Sequence, residues 1–355
     1  MYSFENDYSE GAHPRILEML IKSNLEQNSG YGEDKHSKRA EEYIRRHMNR
    51  SDVDVHFISG GTLTNLLAAS AFLRPHRCVI SADTGHINVH EAGAIEATGH
   101  KVYAAGSTDG KLSPHSIEAA VAYHSDEHMV KPGMVYISNS TELGTVYSKE
   151  ELSDISKVCR ENDLILFLDG ARLGSALTCK ANDMELSDIA ELTDVFYIGG
   201  TKNGALLGEA LVIVRDNLKT DFRYIIKQRG AMLAKGFVTA MQFEILFEGN
   251  LFFELGRHAN QMAERLEKII RDLRYSFYIQ PCTNQLFPIM PNKVLNLLSE
   301  KFKFHYIKAI DEKHSAIRLV TSWATTKKSI DLFGDELNQL ETQFPNLNFE
   351  QKNGA

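Results

Sequence analysis

The sequence predicts an α/β fold: a mainly parallel, seven-stranded sheet between helix layers, followed by a smaller C-terminal α+β domain. Three observations carry this. Short apolar runs, several of them apolar on both faces, alternate with helix-like segments, as strands buried between two helix layers must. Strands that alternate with helices need crossover connections, and so lie parallel to their neighbours. After Val214 the texture changes to long amphipathic stretches and then to a second set of short strands.

Taken in order, Ile16–Ser23 reads as a short N-terminal helix. The strands of the large sheet are expected at Val53–Ser59, Cys78–Asp83, Lys101–Gly106, Met134–Ser138, Leu164–Asp169, Val195–Gly199 and Glu209–Val214. Between them, Thr64–Leu73 follows a glycine pair and reads as a helix. His115–Tyr123 has apolar residues at helical spacing, and Ser113 and Pro114 suit its N-cap and first position. Ser148–Asn162 opens with a capping box, Ser148 being followed three residues later by Glu151. Residues from Lys219 to about Arg274 read as long amphipathic helices. Phe277–Gln280, Leu286–Met290, Phe304–Ile310 and Ala316–Thr321 read as strands of the small sheet, and Lys328–Phe344 as a closing helix. We expect an N-terminal segment over residues 1–25, a large α/β domain over 26–250 and a small α+β domain over 251–355.

Composition narrows the function. With 355 residues, 43% hydrophobic and 24% charged, the chain has the profile of a folded protein of about two domains. Its net charge of −8 makes it a poor partner for polyanions, so we expect no nucleic acid. No apolar run approaches the roughly 18 residues that span a bilayer, so no membrane association is expected. The opening MYSFENDYSEGAH is polar and acidic, unlike a secretory signal. The 4 cysteines are widely spaced with no CxxC pair, which fits reduced structural thiols in a cytoplasmic protein. No internal repeat and no low-complexity tract is present.

Four features fall in loops just beyond predicted strands, the rim where open α/β sheets bind ligands. Ser59-Gly60-Gly61-Thr62 is a tight turn into a helix, where backbone N–H groups and the Thr62 hydroxyl suit a phosphate. It is neither GxGxxG nor GxxxxGK[ST], which disfavours dinucleotide and P-loop readings; an ordinary capped turn is the plain alternative. In Leu168-Asp169-Gly170-Ala171-Arg172, a carboxylate ending an apolar strand needs a partner. A protonated pyridine nitrogen would serve, as in pyridoxal phosphate enzymes, and Arg172 suits a substrate carboxylate; an Asp–Arg ion pair is the alternative. In Gly199-Gly200-Thr201-Lys202, a lysine among small residues directly after a buried strand is placed to become a nucleophile. A solvated turn lysine is the alternative there. His86, in the loop Asp83-Thr84-Gly85-His86, suits a ring-stacking or basic role. A metal site from His86, His90 and Glu91 is the rival, but the HExxH order is absent, and we expect no metal.

Together and in this order, these features match the pyridoxal phosphate enzymes of the aspartate aminotransferase fold (fold type I). Within that fold the sequence resembles the low-specificity threonine aldolase and β-eliminating lyase family from about Asn6 to Trp323. The resemblance rests on Tyr31-Gly32-Glu33-Asp34, Gly60-Gly61-Thr62 with Asn65, His86 with Glu91-Ala92-Gly93, Asp169-Gly170-Ala171-Arg172, Lys202 and Arg318-Leu319-Val320-Thr321.

The resemblance implies an aldolase that cleaves the Cα–Cβ bond of β-hydroxy-α-amino acids such as threonine to glycine and an aldehyde. It implies Lys202 as the covalent anchor of pyridoxal phosphate, with Thr201 beside it, and Asp169 on the pyridinium nitrogen. Gly60, Gly61 and Thr62 would hold the phosphate, and His86 would stack on the ring and relay a proton. Arg172 and Arg318 would bind the substrate carboxylate. It further implies a homotetramer or homodimer with shared active sites, and Lys235 is a looser match to a basic residue that reaches a site. Two segments differ from the family pattern. Asn6-Asp7-Tyr8 stands in place of Ser-Asp-Thr, which leaves Asn6 at a substrate-facing position. Glu142 stands where the family has the histidine that contacts the substrate hydroxyl, and a carboxylate there could accept its proton. β-Elimination or racemisation on the same cofactor is the alternative outcome. A non-catalytic homologue would be expected to have lost Lys202 or Asp169, and a nicotinamide oxidoreductase lacks its glycine fingerprint here.

Overall fold

The computed structural model describes residues 1–344. Its first strand, β1 (Tyr2–Ser3), leads to the large-sheet strands β2 (Asp54–Ile58), β3 (Arg77–Ala82), β4 (Val102–Ala105), β5 (Lys131–Ser138), β6 (Ile165–Asp169), β7 (Val195–Gly199) and β8 (Glu209–Ile213). All seven lie where the apolar runs predicted them. Their order is β2-β8-β7-β6-β5-β3-β4, with β8 antiparallel to both neighbours and the other pairings parallel. Every residue of β6, β7 and β8 is buried, which is why those runs are apolar on both faces.

The intervening helices Gly61–Phe72, Pro114–Tyr123 and Lys149–Glu161 also follow the predicted segments. Ser148 caps the last one reciprocally with Glu151, and Ser113 caps the one before with Ser116. Helix Lys35–Met48 was not anticipated. It carries many charges, yet Ala40, Ile44 and Met48 line a buried stripe at four-residue spacing, and Asp34 accepts from the backbone N–H groups of His36 and Ser37.

The stretch expected as long amphipathic helices divides into Phe222–Gln228, Phe237–Phe247 and Leu251–Asp272. Phe237–Phe247 is not amphipathic, for Thr239 through Phe247 are all buried. It is enclosed by helices Pro14–Ser23, Lys35–Met48 and Leu251–Asp272, so no face of it meets water.

The second sheet holds β9 (Phe277–Ile279), β10 (Gln285–Pro291), β12 (His305–Ala309) and β13 (His314–Val320), antiparallel in the order β12-β13-β10-β9. Between them, β11 (Phe302–Lys303) pairs in parallel with β1. The N-terminus is thereby stitched to the C-terminal third, and Phe4 is buried among Phe302, Phe333 and Leu337. The 22-residue helix Leu251–Asp272 serves both cores. Leu251, Phe252 and Leu255 join the core of the large sheet, while Met262, Leu266 and Ile270 join that of the small one.

Candidate functional site

The strand order brings the ends of β3, β5, β6 and β7 to one edge of the large sheet, with the turn after β2 beside them. β6 ends at Asp169, in register with Ser138 at the end of β5.

Asp169 is 4% exposed, and a carboxylate so placed needs donors. Tyr197 Oη (2.5 Å) and the Ala171 backbone N–H (2.9 Å) donate to Oδ1. Tyr136 Oη (2.5 Å) and Asn65 Nδ2 (3.3 Å) donate to Oδ2. Burial first, and then the Asp169 charge, push both phenols well above their ordinary range, so they remain protonated donors. Glycines permit this approach: a Cβ on Gly170 would lie 1.9 Å from the Tyr197 carbonyl oxygen, and one on Gly61 3.1 Å from the Tyr197 hydroxyl.

From Asp169 a chain of side chains leads to His86. Asn65 Nδ2 also donates to Glu91 Oε1 at 2.7 Å, and the same oxygen meets His86 Nδ1 at 2.8 Å. The Glu91 side chain is fully buried and its Oε2 has no partner. His86 keeps about a third of its side chain exposed. Its backbone N–H donates to Glu142 Oε1 at 2.9 Å, which also accepts from Ser138 Oγ at 2.8 Å. Burial, then the Asp169 charge, raise the Glu142 pKa. His86 and Glu142 are thus neighbours, although 56 positions separate them.

Lys202 follows β7 and is partly buried. Burial first and the Arg172 cation second lower its pKa, against the pull of Asp7, Asp169 and Glu209. Glu209 pins the turn that presents this lysine, accepting from Thr201 Oγ1 at 2.9 Å and from the Gly200 N–H at 3.1 Å. Burial pushes Glu209 up to about 8.

Arg172 grips Asp7 with two bonds, Nε to Oδ2 at 2.7 Å and Nη2 to Oδ1 at 3.0 Å. Burial alone would raise the Asp7 pKa, but the cations Arg172 and Lys202 hold it below the usual carboxylate range. Asn284 Nδ2 donates to the same carboxylate at 2.9 Å. Arg318 feels the Arg172 charge, which together with burial lowers its pKa. Its Nη2 donates to the Glu5 carbonyl at 3.3 Å while its buried Nε has no partner. Asn6 Oδ1 is engaged locally, accepting from the Tyr8 N–H and Ser9 Oγ at 3.0 Å each.

Two candidates stand apart from this network. Thr62 is exposed, at the start of a helix that Gly60 enters with no side-chain cap, so first-turn N–H groups are open to an anion. Lys235 is exposed beside Ala234, whose carbonyl accepts from the Tyr31 N–H at 3.2 Å. Among the described residues no three His, Cys, Asp or Glu side chains gather as a cation would require.

Sequence reasoning assigned no role to Asp7, Tyr136, Tyr197 or Glu209. A signal for the tyrosines was present. Each lies near the end of a strand apolar on both faces, and a phenol buried there must find an acceptor.

The geometry is that of a buried, donor-ringed carboxylate, a lysine with a depressed pKa, an open glycine turn and two arginines. Such a set suits a flat, cationic, phosphorylated ring together with a carboxylate substrate.

Comparison with known proteins agrees. Residues 9–292 match the family described as beta-eliminating lyase. The low specificity L-threonine aldolase of Pseudomonas aeruginosa is 34% identical over 302 residues, 84% of each chain. A solved structure of the Leishmania major threonine aldolase is 50% identical, covers 96% of this chain and 99% of its own, and superposes with a TM-score of 0.95. An aspartate aminotransferase from Thermus thermophilus, 12% identical with a TM-score of 0.71 over 96% of this chain and 91% of its own, shares the fold.

Proposed function

This chain belongs to the β-eliminating lyase family, and we propose that it is a pyridoxal phosphate-dependent aldolase. It cleaves the Cα–Cβ bond of β-hydroxy-α-amino acids such as threonine, yielding glycine and an aldehyde. The observation that carries this reading is the setting of Lys202: an amine with a lowered pKa in the field of Arg172, Asp7, Asp169 and Glu209.

The residues fit the cofactor. Asp169, held by Tyr136, Tyr197, Asn65 and a backbone N–H, is a fixed negative charge for a protonated ring nitrogen. The uncapped turn Gly60-Gly61-Thr62 would hold the phosphate through its first-turn N–H groups. Lys202, next to Thr201, which Glu209 holds, would be the point of attachment, and the His86 ring, steadied by Glu91, would cover one face of the cofactor. When bound, the cofactor supplies the electron sink for the pair released at Cα.

The protein does the rest. Arg172 and the unpartnered donor of Arg318, near Asn6, hold the substrate carboxylate and so set which Cα bond breaks. Glu142, with His86 beside it, accepts the proton of the β-hydroxyl as that bond cleaves.

The active unit is a homodimer or homotetramer with shared sites, in the cytoplasm. The exposed side chains of Tyr8, next to Asp7, and Leu206, four positions after Lys202, support such an interface, and Lys235, next to the exposed Leu233 stretch, would reach a neighbouring site through it. Among the described residues no helix is long and apolar enough to cross a membrane.

The test is product analysis with threonine. Glycine and acetaldehyde in equal amounts are expected; ammonia and a keto acid instead would mean β-elimination, and Lys202→Ala should remove either activity.

A further inference from the structure

Glu142 is held by one of its two oxygens. Its Oε1 accepts from the Ser138 hydroxyl at 2.8 Å and from the His86 backbone N–H at 2.9 Å, while no other residue donates to Oε2. Ser138 ends β5 and is 7% exposed, whereas Glu142 is only half-buried. The Ser138 hydroxyl has one proton and two acceptors within reach. Tyr136 Oη lies 3.4 Å away and gives its own proton to Asp169 Oδ2. Glu142 Oε1 is the nearer of the two and belongs to a carboxylate, so the Ser138 proton points there.

The loop behind this carboxylate is tied down as well. The Thr141 N–H donates to the Thr145 carbonyl at 2.9 Å, and the Thr141 carbonyl accepts from the Gly144 N–H at 2.9 Å and from Gln285 Nε2 at 3.1 Å. Thr283 Oγ1 donates to the Gly144 carbonyl at 2.9 Å. With the backbone fixed on one side and Oε1 on the other, Oε2 has a set direction.

We propose that Ser138 is a positioning residue for the cleavage step: by holding Glu142 Oε1 it leaves Oε2 as the oxygen that takes the proton of the substrate's β-hydroxyl. This role rests on the aldolase reading. In the step the substrate O–H bond breaks and an Oε2–H bond forms. The O–H pair becomes the second bond of the aldehyde carbonyl, and the Cα–Cβ bond breaks with its pair leaving on the glycine fragment. That fragment then takes up a proton at Cα, so protons and electrons balance overall.

The same hydrogen bond bears on the charge of Glu142. Facing this carboxylate are Asp169 at the end of β6, Arg172 beyond it, His86, Tyr136 on β5 and Tyr147 past the loop. Burial first and the Asp169 charge second raise its pKa, and the Ser138 hydrogen bond is the largest of the effects that lower it. Without that hydroxyl, Glu142 would keep its proton to higher pH.

Three measurements separate this role from a merely structural one. In Ser138→Ala the acid limb of kcat/KM should move up by roughly one pH unit, with KM for threonine changed less than about twofold, and Ser138→Thr should bring the limb back. Combined with Glu142→Gln, Ser138→Ala should add less than about twofold to the loss, because the hydroxyl acts through that carboxylate. Infrared spectra of the resting holoenzyme read the carboxyl group without any turnover. The protonated-carboxyl band that Glu142→Gln removes should persist to higher pH in Ser138→Ala than in wild type. An unmoved limb or band, or losses that simply multiply with Glu142→Gln, would overturn the positioning role and leave the aldolase reading standing. A band that shifts as expected, with threonine yielding ammonia and a keto acid, would instead sink the aldolase reading and the assignment of Oε2 with it.

Discussion

Asp7 and Arg172 are 165 positions apart and share two hydrogen bonds, at 2.7 and 3.0 Å. The pair is nearly closed to solvent, with Asp7 1% and Arg172 11% exposed at the side chain. It gives Arg172 a fixed orientation before any substrate carboxylate arrives. Removing one partner leaves the other charge buried, so Asp7→Ala should cost about 3–5 kcal/mol of stability. Asp7→Asn, which keeps the shape, should raise KM for threonine more than it lowers kcat. An unchanged KM would separate Arg172 from substrate binding.

Asp169 depends on the two phenols that cannot ionise beside it. Deleting either hydroxyl removes one charge-assisted hydrogen bond, worth about 1.5–3 kcal/mol. Tyr136→Phe and Tyr197→Phe should each weaken cofactor retention by roughly tenfold or more, measured as release of the visible chromophore on dilution. Asp169→Ala should lose the cofactor further, and Lys202→Ala should lose the borohydride-sensitive chromophore altogether.

Glu142 should leave its mark on the pH profile. To accept the hydroxyl proton in the proposed reaction it must be ionised, and burial raises its pKa. The acid limb of kcat/KM should therefore lie above the ordinary carboxylate range, with activity rising as pH climbs through it. Glu142→Gln should flatten that limb and lower kcat by roughly 10²–10⁴. Glu142→His should restore part of the rate with the limb moved towards histidine's range.

Glu209 should make the folded chain sensitive to alkali. Its pKa, pushed up to about 8 in the fold, means the folded protein holds a proton that the unfolded chain has released. The stability from this group is complete below its ordinary range, near 4.5, and is lost as pH rises through about 8. Melting curves of wild type should shift down across that window, and Glu209→Gln should shift less. An identical slope in the two proteins would contradict this linkage.

How much of this was legible in the amino-acid order depends on the range of the interaction. The seven large-sheet strands could be read because a strand buried on both faces must be apolar throughout, and that constraint is local. Helix Lys149–Glu161 could be read because Ser148 and Glu151 cap it within one turn. Helix Lys35–Met48 was missed because its buried stripe is thin against its charges. Gly60, Gly61, His86, Asp169, Arg172 and Lys202 could be picked out because each follows a strand on one rim.

The linear order thus determined which residue types end each strand and which chemistry the rim can perform, because strand and turn signals act between near neighbours. Only the tertiary structure decided who meets whom: Asp7 with Arg172, Glu142 with His86, and both phenols with Asp169. Those pairs form because burial strips polar groups of water and forces each to accept the partner that packing brings within reach, and no local pattern encodes that choice.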